Sequence, residues 1–394
     1  MHAAADIVLA LIATPALLCC LYLLALTLLS ARPARPALQH RNVRFDVIVP
    51  AHNESQLIGR TISSLVKMDW PADAFRVICV ADNCTDDTGA LARSAGALVL
   101  ERHDPQLRGK GYALLHAFEA SHAADWADAL VIVDADSDAS GNLLAAMAAR
   151  IQGGACAIQA HYGVRNALAS WRTRLMSIAM GSFHSVRSRA RERLGLSCGL
   201  RGNGWCVTRE LLRDVPYRAF SLAEDIEYGI AIGLAGYRVH YVDEAHVNGD
   251  MVSSADLAVQ QRQRWENGRN QLIRSMTGPL LRRALQERSL VSLDLALDLL
   301  VPPLSYLALY VLVFTGLALA GSRFGLAAMG WPAVALAACT TLILYVLRGW
   351  QLSGVGAQGA LDLIRVPWFL VWKIWIMLGR RATREWARTG RENS

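Results

Sequence analysis

Phe45-Asp46-Val47-Ile48-Val49-Pro50-Ala51-His52-Asn53-Glu54 opens as a short β-branched run, stops at a proline and turns polar at once. The same change recurs downstream, where Arg76–Ala81 runs into Asp82-Asn83-Cys84-Thr85-Asp86 and Ala129–Val133 into Asp134-Ala135-Asp136-Ser137-Asp138. Ala97–Leu100 is a further apolar run, and the helix-length segments Gln56–Met68, Thr88–Ser94 and Tyr112–His122 separate the four. Strands alternating with helices predict a parallel, doubly wound α/β sheet, in which ligands bind at the carboxyl ends of the strands. The three acidic clusters fall at those ends and read as one site rather than a solvated face.

Outward from this domain the chain turns apolar. Hydrophobic residues make up 53% of the 394, and the mean hydropathy is +0.26, more than the core of a soluble domain requires. Ile7–Ser30 has no charged residue and is long enough to cross the roughly 30 Å hydrocarbon layer as a helix. A cleaved signal peptide is the alternative, but its apolar region runs to only roughly 7–15 residues and follows a basic segment. Arg32, Arg35, Arg41 and Arg44 follow the run, whereas Met1–Asp6 has no lysine or arginine, so the positive-inside rule predicts a cytosolic domain. Leu295–Ala320 and Leu326–Leu347 read as two further spans joined by a turn at Gly321–Gly325. Leu363–Leu378 carries Arg365 and Lys373 among spaced tryptophans and reads as an interfacial helix before a basic tail. Spanning is its alternative, although that would put the tail on the wrong side for its charge.

The predicted organisation is a transmembrane helix in 1–30, a basic linker at 31–42 with Pro33 and Pro36, a catalytic domain in 43–275 and a membrane region in 276–394. Within the domain, the stretch 168–194 mixes Leu175, Ile178, Phe183 and Val186 with six arginines from Arg172 to Arg193. It reads as a basic amphipathic helix against the membrane, or as a surface helix packed on the sheet. The net charge of +7 sits largely beside membrane segments, where it suits anionic lipid and not nucleic acid. Eight cysteines show no CxxC pair or metal-ligand spacing and read as apolar fillers in a reduced compartment.

Four motifs in order, spread over most of Val43–Arg269, carry a family resemblance. They are Val47–Glu54 with Asp82–Asp86, then Asp134-Ala135-Asp136, then Glu224-Asp225, then Gln261-Arg262-Gln263-Arg264-Trp265. Together they resemble the membrane-bound family-2 inverting glycosyltransferases, the superfamily of cellulose, chitin and hyaluronan synthases. The family's Thr-Glu-Asp motif is matched except that Ala223 stands for threonine; the tryptophan motif is matched in full. The resemblance implies a GT-A-type, Rossmann-like domain with transmembrane and interfacial helices. It also implies a UDP-sugar donor, Mg²⁺ or Mn²⁺, and a carbohydrate or lipid-linked acceptor, in a bacterial inner membrane.

Departure of a nucleoside diphosphate builds charge on phosphate oxygens, which calls for a cation held by hard oxygen ligands. By resemblance Asp136 is its direct ligand, with Asp134 near the ribose or the metal. The acceptor hydroxyl must lose a proton to a carboxylate within reach. Asp225 is the family-matched base, with Glu224 and Glu227 close enough to compete. Gln261, Arg262 and Arg264 would face the diphosphate, guanidinium forks suiting its oxygens, and Trp265 would offer a flat face to a sugar. Asn53, Glu54 and Asp82 are candidates for the uridine, and Lys110, in Arg108-Gly109-Lys110-Gly111 before a helix, for a phosphate. Gly204 and Trp205, in the glycine-rich Gly199–Trp205, would form the acceptor side.

The tryptophan motif points to extension of a polysaccharide, whereas only three spans point to a single transfer onto a lipid; a membrane partner subunit or a second copy could supply missing channel walls. A non-catalytic nucleotide-sugar-binding subunit is the alternative from another class, disfavoured by the intact Asp136, Asp225 and Arg264.

Overall fold

The computed structural model describes residues 2–251 and 255–368; the far part of the expected interfacial helix and the basic tail lie outside them. In chain order the elements are α1 (His2–Leu28), β1 (Phe45–Ala51), α2 (Ile58–Leu65), β2 (Phe75–Asp82), α3 (Thr88–Ser94) and β3 (Leu98–Arg102). There follow α4 (Lys110–Ala124), β4 (Ala129–Ile132), β5 (Ser137–Ala139), α5 (Leu143–Gln152), β6 (Ala157–Val164) and α6 (Trp171–Met180). A π-helical segment, Gly181–Val186, leads into α7 (Arg187–Arg193), β7 (Trp205–Thr208), α8 (Arg209–Asp214), α9 (Glu224–Leu234) and β8 (Val239–Gly249). The last helices are α10 (Ala255–Gln286), α11 (Leu290–Leu300), α12 (Leu304–Arg323), α13 (Trp331–Ser353) and α14 (Gly356–Asp362).

The strands form one sheet in the order β3-β2-β1-β4-β7-β6-β8-β5. The four from β3 to β4 are parallel, as their alternation with helices predicts. The remainder departs from an all-parallel sheet, because β7 runs antiparallel to both β4 and β6, while β8 runs parallel to β6 and antiparallel to β5. That reversal brings the segment before β7 and the ends of β6 and β8 to the same edge as the carboxyl ends of β1, β2 and β4. Both sheet faces are covered, as a parallel sheet requires. Val47 and Val49 face Ile58, Ile62 and Leu143 on one side; Ile48 faces Leu114, Phe118 and Tyr228 on the other.

Three helices, α1, α12 and α13, are long and apolar enough to cross a membrane. Asp6 accepts hydrogen bonds from the Ala328 amide and the Trp331 indole, each at 2.8 Å, at one end of the bundle. Arg348 donates to Ser30 Oγ and to its carbonyl, each at 2.9 Å, at the other. The span read as Leu295–Ala320 is divided. Pro302 and Pro303 separate α11 from α12, because proline offers no amide to a helix and pushes the residue before it out of the helical region. The second span begins at Trp331 rather than Leu326, after Gly330 and with Pro332 in its first turn.

α11 stays out of the apolar bundle because it carries Asp294 and Asp298. Asp298 takes Arg187 at 2.8 Å and Arg191 at 2.7 Å, with Arg201 at 3.4 Å. Asp294 takes Arg191 at 2.9 Å and a hydrogen bond from the Tyr22 hydroxyl at 2.8 Å, and Arg187 donates to the Tyr345 hydroxyl at 2.8 Å. The basic stretch around 168–194 is thus not arrayed against lipid headgroups. Its other cations meet protein as well: Arg174 pairs with Asp362 at 2.5 Å, Arg189 with Asp243 at 2.6 Å, and Arg193 donates to the Leu29 carbonyl at 2.8 Å. Burial opposes the Asp298 charge, but Arg191, Arg201 and Arg187 outweigh it and hold the carboxyl well below the usual carboxylate range.

Removing one partner of such a buried cluster leaves charge without compensation, at a cost of about 3–5 kcal/mol. Asp298→Asn is therefore expected to lower the thermal unfolding midpoint in detergent by many degrees, whereas exposed Asp69→Asn, which loses only the surface pair with Arg41, leaves it within a degree or two. Equal midpoints for the two would refute this account of the cluster.

Candidate active site

Lys110 is the centre of the acidic edge. It opens α4 behind Gly109, which has φ 127°, a conformation open to glycine and closed to other residues. Its ammonium donates to Asp134 Oδ1 at 2.6 Å and to the Gly202 carbonyl at 2.5 Å, and lies 3.8 Å from Glu224 Oε1. Burial works against the ammonium charge, but Asp134 and Glu224 outweigh it and hold its pKa above the ordinary lysine range. Lys110 is thus already paired with carboxylates, and a phosphate at this edge has to share it.

Asp134 and Asp136 lie past the end of β4, in a turn closed by the Ser137 amide on the Asp134 carbonyl at 3.1 Å. The turn, not strand alternation, sets their direction. Asn203 pins it, accepting from the Asp134 amide at 3.0 Å and donating to Ser137 Oγ at 2.8 Å. Gln159 in turn holds the loop before β7, donating to the Asn203 carbonyl at 2.7 Å and accepting from the Arg201 amide at 2.8 Å. Tyr162 closes the site from β6, its hydroxyl against Asn203 and its charged neighbours Asp134, Asp136 and Asp225. Sequence reading missed Asn203 and Tyr162. Asn203 stands in the flagged Gly199–Trp205 loop, while Tyr162 carries no motif signal.

Trp205 corrects that reading. It is 1% exposed and packs between Phe118 and Tyr228, at 6.2 and 6.1 Å between ring centroids, so it cannot serve as a sugar platform. Strand alternation turns its ring into the core on the α4 side. Gly204 is structural too: at φ 69°, a Cβ would stand 2.8 Å from Val247 Cγ2.

The acids of α9 divide their duties. Glu227 accepts from the Ser221 amide at 3.0 Å, which occupies it in holding the helix entry. Glu224 faces Lys110. Asp225 makes no ion pair among the described residues and lies beside the glycine-rich loop, its Oδ2 3.4 Å from where a Cβ on Gly202 would stand. Burial pushes Glu224 up to about 7, against the pull of Lys110 and with the help of Asp225. Burial likewise raises Asp225, with Lys110 opposing.

α10 crosses the start of α9 at Gly268, where a Cβ would stand 3.0 Å from both the Ala223 amide nitrogen and its Cβ. That contact gives the alanine at 223 a reason, since a larger residue would press on α10. Trp265, three residues earlier and so on the same helix face, is 40% exposed; Gln261 and Arg264 are half-buried on the preceding turn. The Arg262 side chain lies outside the described set. At the other end of the edge, Asp82 is nearly buried and takes Arg102 at 2.7 Å and Asn83 at 3.0 Å. Asn53, at φ 55°, accepts from the Thr85 amide at 2.7 Å, and the Glu54 amide donates to Thr88 Oγ1 at 2.7 Å. These bonds lace the β1 and β2 loops together.

Residues 42–268 match the family described as Glycosyltransferase like family 2. The chain belongs to this family. A probable glycosyltransferase of Bacillus subtilis (strain 168), YdaM, is 23% identical over 239 residues, 58% of this chain and 56% of the relative. Beta-monoglucosyldiacylglycerol synthase of Synechocystis sp. is 28% identical over 234 residues, 56% of this chain and 47% of the relative. The chain spans about half the length of these curated relatives. A mannosyltransferase from Pyrobaculum calidifontis, solved with GDP-Man and Mn²⁺, shares the fold at a TM-score of 0.57 and 19% identity, over 93% of this glycosyltransferase and 99% of that chain.

Among the described residues no group of three or more His, Cys, Asp or Glu is placed to hold a metal ion. A hard divalent cation commonly takes one or two carboxylates and completes its shell with water and substrate phosphate. The Asp134–Asp136 turn of this family-2 enzyme fits a cation of that kind, one that arrives with a diphosphate. Mn²⁺ binding followed by electron paramagnetic resonance is expected to be weak without nucleotide and to tighten at least tenfold with a nucleoside diphosphate. Asp136→Ala should remove that gain; tight binding to the bare protein would contradict the reading.

The Glu224–Asp225 pair titrates as a unit and must be ionised to accept a proton. Activity should therefore rise with pH along a limb near 7, above the ordinary carboxylate range. Glu224→Gln removes the like charge beside Asp225 and should shift the limb to lower pH in a kcat/KM profile; an unmoved limb would dissociate the pair from catalysis.

Proposed function

We propose that this glycosyltransferase moves one sugar, with inversion, from a UDP-sugar to a hydroxyl of a lipid acceptor at the cytosolic membrane face. The observation that carries the proposal is the Asp225 carboxylate beside Gly202, which makes no ion pair among the described residues, in an edge where Lys110, Asp134 and Glu224 are already paired. Asp225 takes the proton of the acceptor hydroxyl as its oxygen attacks the anomeric carbon on the side opposite the diphosphate, and the diphosphate leaves with the bonding pair. Arg264 lies on the diphosphate side and meets its growing charge. Asp136, with Asp134, would hold Mg²⁺ or Mn²⁺, which when bound offsets that charge. Asn53, Glu54 and Asp82 border the nucleoside, and Trp265 faces the sugar.

Two observations favour a lipid acceptor over a growing polysaccharide. The three spanning candidates among the described residues are few to wall a polymer channel, and curated relatives include beta-monoglucosyldiacylglycerol synthase and a 4,4'-diaponeurosporenoate glycosyltransferase of Staphylococcus aureus. The Gln261–Trp265 motif favours the polymer reading.

In lipid nanodiscs with added membrane lipid extract, a panel of UDP-sugars and Mg²⁺ or Mn²⁺, one donor should release UDP and yield one added mass. Asp225→Asn should slow turnover by about 10²–10⁴-fold while leaving UDP affinity unchanged. A ladder of masses would establish polymer extension instead, and UDP binding with no turnover would leave a non-catalytic subunit.

A further inference from the structure

We propose that the cavity between the β6–β8 edge and the α6–π-helical wall seats the head of the acceptor, and that this head is an uncharged, hydroxyl-bearing group of a membrane amphiphile. The proposal rests on the transferase reading above and names the acceptor class for it.

The cavity measures ≈ 270 Å³, and its lining includes His161, Tyr162, Asn248, Ser177, Met180 and Ser353. That is small beside the roughly 300–1,000 Å³ of ordinary ligand sites, so it admits a headgroup and leaves an acyl or isoprenoid tail outside. Its two ends decide what it serves. At one end stands Tyr162, whose hydroxyl lies against Asn203 with Asp134, Asp136 and Asp225 as its charged neighbours. At the other stands Ser353, the last residue of the spanning candidate α13, one turn beyond the Arg348–Ser30 contact that closes the bundle. A molecule held by its tail at that level brings its head against Tyr162, whose hydroxyl borders the acidic edge.

The lining fixes the chemistry of the head. It offers imidazole, hydroxyl, amide and thioether groups and, among the described residues, no lysine, arginine, aspartate or glutamate. Burial lowers His161 to about 4, and burial also lowers His246, so both imidazoles stay neutral at physiological pH. A phosphate or carboxylate head would enter without a cation to meet it, which is costly in a desolvated site. An alcohol finds donors and acceptors on every side.

The wall is also built for shape. Gly181, where the helix widens, lies so close to α13 that a Cβ would stand 2.6 Å from the Gly349 carbonyl oxygen. Short π-helical insertions of this kind are frequent at functional sites.

The test separates the acceptor from the donor. The full-length protein in phosphatidylcholine nanodiscs is given its UDP-sugar with diacylglycerol, farnesol, dodecyl maltoside or polyprenyl phosphate, and both UDP release without acceptor and transfer to each probe are measured. Met180→Trp fills the cavity and should cut transfer at least tenfold while donor hydrolysis stays within twofold, which also reports that the variant is folded. Transfer to an uncharged amphiphile that Met180→Trp abolishes supports the assignment. Transfer to polyprenyl phosphate alone, transfer unaffected by Met180→Trp, or intact hydrolysis with no transfer to any uncharged probe overturns it. Wild-type protein that neither hydrolyses nor binds any UDP-sugar overturns the transferase reading instead.

Discussion

A carboxylate surrounded by three guanidinium groups, Asp298 with Arg187, Arg191 and Arg201, is the constraint on which the rest of this molecule depends. The partners come from three stretches: Asp298 from α11, Arg187 and Arg191 from α7, Arg201 from the loop that leads to Asn203. Tyr22 of α1 and Tyr345 of α13 extend the cluster into the apolar bundle. Buried charges tolerate little displacement, because attraction falls while the desolvation cost stays. The loop that places Gly202 beside Asp225 and Asn203 against the Asp134 turn is therefore held from the membrane side.

The acidic edge has the opposite balance. Lys110 faces Asp134 and Glu224, with Asp225 and Asp136 nearby, so carboxylates crowd its ammonium. A diphosphate entering here is repelled unless positive charge comes with it. Burial, more than the neighbouring acids, is what raises Glu224 and Asp225.

The parallel half of the sheet was legible because its signals are local. Val47, Ile48 and Val49 give a buried strand, and Asn53 and Asn83 mark the left-handed turns that asparagine tolerates. The antiparallel half was not, since nothing in Trp205–Thr208 says which way the strand runs. Its direction decides that Trp205 faces the core while Asn203, two residues earlier, reaches the site. Arginines at 187 and 191 read as a lipid-facing surface because their partners, Asp294 and Asp298, stand about a hundred residues away, just before and just inside the start of what looked like a membrane span. Pro302 and Pro303 were visible as letters, but hydropathy ran through them. Gly268, three residues past the tryptophan motif, earns its place only once α10 is seen to cross Ala223.

The sheet therefore divides the work along its own topology. The loops after β1 and β2 are laced to each other through Asn53, Thr85 and Thr88 and form a self-contained border of the parallel half. The bridging ion pairs all begin on the other half: Arg189 and Arg32 meet Asp243 of β8, Arg174 meets Asp362 of α14, and Arg187, Arg191 and Arg201 meet α11. The half that ends in β6 and β8 is thus fixed relative to the bundle, and the acceptor of a membrane transferase must itself be fixed relative to the bilayer. The donor is soluble and can reach the parallel half from water. A lipid moves in two dimensions, so the part of the sheet anchored to the membrane helices is the part that can meet it at a constant depth.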